Sequence, residues 1–172
     1  MANVVNFKEI DVSKFAFSKL QKGSGGYYSY LRYEKSVPYI QSPKFRIKNI
    51  NDSEIELEVH EDFKEFGNDF DNCVIDTVIS KKSKGKWFSG RDVPDKFIKG
   101  KYMGCINSGV FKCNIAKNVG MYDQYKRVIG ISELKVGRSI VAIIEPEYLK
   151  ISKKSLGCVW RIVQLRVKIP RP

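Results

Sequence analysis

Glu147-Tyr148-Leu149-Lys150, then Lys153-Lys154, then Gly157-Cys158-Val159-Trp160-Arg161-Ile162-Val163-Gln164-Leu165-Arg166-Val167 read as two β-strands joined by a turn over residues 152–157. The first strand carries Tyr148; the second carries Trp160, with Arg161, Arg166 and Lys168 spread along it. Aromatic faces stack on bases and cations track phosphates, so such a hairpin suits a polyanionic strand. The same pattern also fits a basic hairpin whose Trp160 belongs to the core.

Working outward, the charge is as uneven as the hairpin suggests. The 172 residues carry a net charge of +12, with 10 Lys/Arg against 13 Asp/Glu in residues 1–80 and 21 against 6 in residues 81–172. A field of that sign attracts nucleic acid, acidic protein surfaces or anionic lipid, and a solvated basic face kept for solubility remains the plain alternative. With 42% hydrophobic residues the chain is long enough for one self-supporting domain. No apolar run approaches the roughly 20 residues of a membrane span. The opening Met1-Ala2-Asn3-Val4-Val5-Asn6 lacks the pattern of a secretory signal. Cys73, Cys105, Cys113 and Cys158 form no Cys-x-x-Cys pair and His60 stands alone, which excludes the usual zinc spacings. These thiols suit a reducing compartment as small buried hydrophobes, with a Cys105–Cys113 bridge left open.

The rest of the chain reads as mainly β with one clear helix. Residues 14–20 alternate Phe15 and Phe17 with lysines, and Gly23-Ser24-Gly25-Gly26 then turns the chain. Over residues 27–33, period two puts Tyr28, Tyr30 and Arg32 on one face and Tyr27, Ser29, Leu31 and Tyr33 on the other. Pro43 marks a strand edge or bulge between Tyr39-Ile40-Gln41-Ser42 and Phe45-Arg46-Ile47. Residues 54–60 alternate Ile55, Leu57 and Val59 with glutamates, a half-exposed strand with an acidic outer face.

Phe63, Phe66, Phe70, Cys73, Val74, Thr77 and Val78 recur at spacings of three and four, which predicts a helix over residues 62–80 packed on a sheet. It leads into Lys81-Lys82-Ser83-Lys84-Gly85-Lys86 and Trp87-Phe88. A helical turn is expected over residues 95–101, two short strands around Ser108-Gly109, a loop or strand over residues 120–131, and an apolar strand over residues 139–144 closed by Glu145-Pro146.

Catalytic constellations are missing from the sequence. There is no Gly-x-Ser-x-Gly, no local Cys/His arrangement, and the glycine run lacks the Gly-Lys-Ser/Thr ending of a phosphate loop. Glu61, Asp62, Glu65, Asp69, Asp71 and Asp76 fall on the polar side of the predicted helix, where a solvated face explains them better than a magnesium site. A binding or structural protein is expected, with no catalytic residue, no metal and no cofactor.

Ser29-Tyr30, Tyr39-Ile40-Gln41-Ser42-Pro43, a helix running toward Trp87-Phe88, and a closing Gly157-x-x-Trp160-x-x-x-Gln164 occur in that order. In this the chain resembles the single-stranded-DNA-binding proteins of large nucleocytoplasmic DNA viruses, which are similar to the short-tailed coliphage replication protein. The resemblance spans residues 15–168. It implies an OB-like β-barrel with one inserted amphipathic helix, occupying residues 14–168 between an N-terminal arm (1–13) and a basic Pro-rich tail (169–172). It further implies sequence-nonspecific single-strand binding in viral replication or recombination, in host cytoplasm or nucleus or in the virion. Tyr28, Tyr30, Trp87 and Trp160 become stacking or barrel aromatics, and Gln41 and Gln164 border the groove.

Together these readings nominate Tyr28, Tyr30, Arg32, Lys84, Lys86, Trp87, Arg91, Tyr148, Lys153, Lys154, Trp160, Arg161 and Arg166 as the nucleic-acid-binding set. Single-stranded DNA is the expected ligand, with RNA and self-association left open. Two features depart from the family pattern. The chain ends Lys168-Ile169-Pro170-Arg171-Pro172 where an acidic tail is usual, and Tyr148-Leu149 stands where a Trp-aromatic pair is expected. The rival reading is a minor capsid or cement protein, using the aromatics as interface anchors and the termini as arms among capsid proteins.

Overall fold

A computed structural model describes residues 3–84, 87–88 and 93–170. Within these residues, ten strands and two α-helices make a mainly β architecture. The strands are β1 (Val4–Asn6), β2 (Phe15–Phe17), β3 (Gln21–Gly23), β4 (Gly26–Tyr33), β5 (Tyr39–Ile50), β6 (Glu54–Glu58), β7 (Ile106–Asn107), β8 (Val110–Asp123), β9 (Ser139–Ile151) and β10 (Leu156–Val167). The helices are α1 (Glu61–Ser83) and α2 (Asp95–Lys101).

Five of these strands close on themselves. β5 pairs with β6, β6 with β8, β8 with β10, β10 with β9, and β9 returns to β5. The β8–β10 pairing is parallel and the other four are antiparallel, giving an OB-like ring with the helices inserted between its second and third strands. Beyond the ring, β4 extends the sheet from the far half of β9, and β2 and β3 pair with β4.

The helix packs as its periodicity requires. Phe63, Phe66, Phe70, Val74 and Val78 are buried along one face of α1. The Phe63 ring lies 4.9 Å from that of Phe45 and 5.1 Å from that of Phe111, so α1 seals one side of the ring with an aromatic layer. Gly67 allows the chain around β7 to come close: a Cβ there would stand 2.6 Å from Ile106 Cδ1. Asp71 fastens the same chain segment to α1, accepting from Tyr102 Oη at 2.7 Å and Cys105 N at 3.2 Å.

Several expectations are revised. β9 does not stop at Glu145-Pro146 but runs on to Ile151. Pro146 is tolerated because the β9–β10 register shifts between Val159 and Trp160, its own partner, so no regular ladder needs its missing N–H. The bulge expected at Pro43 is present in β5, where the register against β9 shifts between Gln41 and Lys44. Ser42 Oγ fills the gap, accepting from Ala142 N at 2.9 Å. Residues 14–20 yield only the short β2, preceded by a 3-10 turn.

Residues 4–11, within the stretch read as an N-terminal arm, lie against the body. β1 pairs in parallel with the start of β5, Phe7 is buried with its ring 5.8 Å from that of Phe63, and Asp11 N donates to Tyr33 Oη at 3.0 Å. The four cysteines are free thiols, so the Cys105–Cys113 bridge does not form. Burial pushes the thiols of Cys105, Cys113 and Cys158 well up, as expected of packing groups rather than nucleophiles. No helix among the described residues is long and apolar enough to cross a membrane.

Candidate nucleic-acid interface

In OB barrels the second and third strands commonly present the binding face. Here those strands are β6 and β8, and the outer side of β6 carries three glutamates. Glu54, Glu56 and Glu58 alternate with buried Ile55 and Leu57, while Lys112 of β8 is taken up by Glu54 at 2.9 Å. Arg46 of β5 stands opposite Glu58 and Lys112 opposite Glu56, so these two cations are matched by glutamates rather than left for a phosphate backbone.

The aromatic and cationic groups gather instead on β4 and β9. The register sets Tyr28 opposite Lys150 and Tyr30 opposite Tyr148, so all four side chains leave the same face. Tyr148 is the hub: its ring centroid is 5.2 Å from Tyr28 and 5.9 Å from Tyr30, both edge-on. Tyr30 is 38% exposed. Tyr28 folds over the β3–β4 turn, donating its hydroxyl to Ser24 O, and a Cβ at Gly23 would lie 2.5 Å from its ring. Partial burial, then Glu147 and the neighbouring tyrosines, push the Tyr148 phenol up, so it keeps its proton at neutral pH. Arg32 follows Tyr30 on the same face of β4 and is exposed.

At one end of this face lies the β9–β10 turn. Ser152 Oγ accepts from Ser155 N at 3.0 Å and Lys154 N at 3.3 Å, fixing a tight loop that leaves Lys153 and Lys154 exposed.

Other members of the nominated set are placed differently. Trp160 is 3% exposed and inserted among aromatic rings, with centroids 4.9 Å from Phe70 and 5.2 Å from Phe111. It is a core residue and cannot stack on a base. Among the described residues its indole N–H has no protein hydrogen-bond acceptor. Trp87 is likewise buried and is corrected to the core. Arg161 is held by Glu145 at 2.7 Å and Glu147 at 3.4 Å, so its charge is already matched.

Arg166 is exposed, but it lies opposite Val141 and Tyr122, seven residues along β10 from the Val159–Tyr148 pair. That is about 20 Å from the tyrosines at ordinary strand rise. Lys84 is exposed at the C-terminal end of α1 and is not part of the β4–β9 pairing. Lys86 and Arg91 lie outside the described residues. Gln41 and Gln164 are both exposed and both register against Ile143, from opposite sides of β9. Lys150, the cation nearest the cluster by register, was missed because only the β4–β9 pairing reveals it.

Residues 43–172, from the bulge of β5 through β10, match the model of one protein family. The chain belongs to the family of unknown function DUF5871. Among curated proteins there is no match to this DUF5871 sequence. Among solved structures, it is similar to the C-terminally truncated single-stranded DNA-binding protein from bacteriophage Enc34. That alignment has 10% identity and a TM-score of 0.47, covering 91% of this chain and 95% of that one. The same phage protein in complex with ssDNA aligns with a TM-score of 0.43 at 10% identity, covering 91% and 97%. Likenesses of this size assign no role to individual residues. Among the described residues no cluster of three or more His, Cys, Asp or Glu is placed to hold a metal ion.

Proposed function

We propose that this protein binds single-stranded DNA without reading its sequence, along the outer face of β4 and β9. One observation carries the reading: Tyr28, Tyr30 and Tyr148 form a single aromatic surface flanked by Lys150, while on the usual OB face Arg46 and Lys112 are matched by the glutamates of β6. Exposed ring faces accept any base, and duplex DNA keeps its bases inside the stack, so a tyrosine platform favours single strands. The lysines at positions 150, 153 and 154 supply phosphate contacts, and the net charge of +12 draws the ligand in. The motif resemblance to viral single-strand binders supports DNA as the ligand and replication or recombination of a large DNA virus as the setting.

The rival capsid reading draws on residues 1–13 and the Pro-rich tail as arms and on the aromatics as interface anchors. Phe7 packed against Phe63 and β1 paired to β5 weigh against the N-terminal arm in that reading.

The test is a fluorescence-anisotropy titration with labelled single- and double-stranded oligonucleotides at low and near-physiological salt. A single-strand preference that persists at the higher salt is expected. Equal binding to both forms that vanishes with salt would reduce the charge to a generic attraction and overturn the reading.

A further inference from the structure

Strands β4 and β9 have a second face at the same end of the sheet, and it borders a groove rather than a platform. Where Tyr28 and Lys150 point outward, their neighbours Tyr27 and Ile151 point the other way, into a groove of about 980 Å³. Leu20, Phe88, Val93 and Phe97 complete its apolar walls. Phe97 is 56% exposed, an unusual state for a phenylalanine on a short helix whose next residue, Ile98, is buried. Lys101 lies 5.5 Å from the Phe97 ring centroid and donates to Ser152 O, tying α2 to the β9–β10 turn. Met103 N donates to Leu156 O at 2.8 Å and fixes the same wall.

The rim is basic. Lys101 of α2 and Lys153 and Lys154 of the turn over residues 152–155 line it. The one acid of α2, Asp95, is engaged by Lys82. An apolar trough with an unbalanced cationic rim is complementary to an anionic chain bearing large apolar side chains.

A nucleobase is the poorer occupant. The polar groups of Ser152 are already used within the turn and by Lys101, so a base edge seated between Leu20, Val93 and Ile151 would lose its water without a partner. A leucine or phenylalanine side chain carries no such penalty.

We propose that this groove docks an acidic peptide segment of a partner protein, with large apolar residues filling the trough and carboxylates meeting Lys101, Lys153 and Lys154. The apolar trough lies on the opposite face of β4 and β9 from the tyrosines, and the two sites share only Lys153 and Lys154 at the turn.

The experiment uses the full chain and a fluorescein-labelled peptide in which Leu and Phe alternate with Asp and Glu. A control peptide has Ser at the apolar positions, and a labelled oligothymidylate is titrated in parallel. The apolar-acidic peptide is expected to bind with an affinity on the order of micromolar and the Ser control at least about tenfold more weakly. Phe97→Ala, at an exposed site, is expected to weaken the peptide about tenfold or more and leave the oligothymidylate unchanged. Val93→Asp, which puts an acid in the trough, is expected to do the same. Equal binding of both peptides, or unchanged peptide affinity in both variants, would overturn the proposal. Weakening of the oligothymidylate alone by Phe97→Ala would overturn it in favour of a nucleic-acid groove.

Discussion

Tyr30 and Tyr148 face each other across the β4–β9 pairing, with ring centroids 5.9 Å apart and planes at 65°. Strands joined only through this outer sheet thus share one aromatic surface, on which the binding reading stands. Tyr30→Ala and Tyr148→Ala are each expected to weaken single-strand affinity by about 1–3 kcal/mol per base unstacked. Tyr30→Phe, which keeps the ring, is expected to bind nearly as wild type. Anisotropy titration of the three variants, with thermal melts to verify folding, checks this.

Salt dependence separates the cations that touch phosphate from those that do not. Each of Lys150→Ala, Lys153→Ala and Lys154→Ala is expected to lower the slope of log affinity against log salt by about 0.7. Arg166→Ala, about 20 Å along β10 by strand rise, is expected to leave the slope unchanged.

Trp160 is a stability residue. Trp160→Ala empties a site walled by Phe66, Phe70 and Phe111 and is expected to destabilise the fold by about 3–5 kcal/mol, read by urea denaturation. Trp160→Phe should cost less, because it also removes a buried N–H that has no acceptor.

Gly26 stands where β4 meets β9. Its φ is +152°, and a Cβ there would lie 2.4 Å from Ile151 O. Gly26→Ala is expected to cost about 1–3 kcal/mol and to loosen the Tyr28–Lys150 alignment, so denaturation midpoint and DNA affinity should fall together.

Asp71 gives the stability a pH signature. Burial pushes its carboxyl above the ordinary 3.8, against the bonds from Tyr102 and Cys105. Between the ordinary value and the raised folded one, the folded state holds more protons than the unfolded state. Stability from this group is therefore full below the ordinary value and is lost as pH rises through the folded value. Asp71→Asn is expected to flatten that part of the stability curve, as measured by urea denaturation from acid to neutral pH.

The sequence was legible where alternation or helical spacing acts locally. The two faces of β4, the acidic outer face of β6, the buried face of α1 and the short α2 follow from residue order alone. What it could not show is which of two alternating faces is buried, because that depends on what packs against the strand. Trp160 was therefore open to two readings until α1 brought Phe66 and Phe70 onto it. Lys150 was invisible as a site residue for a related reason, since its place beside Tyr28 depends on a pairing between strands more than a hundred residues apart.

The position of β10 has a consequence for how the molecule is made. It lies between β8 and β9, yet it is the last of the described strands in sequence. During synthesis the earlier strands emerge with the gap still open, leaving the edges of β8 and β9 unpaired until residues 156–167 arrive. A message cut short before that point would yield an open sheet with two bare edges, a template for aggregation rather than a weakened binder.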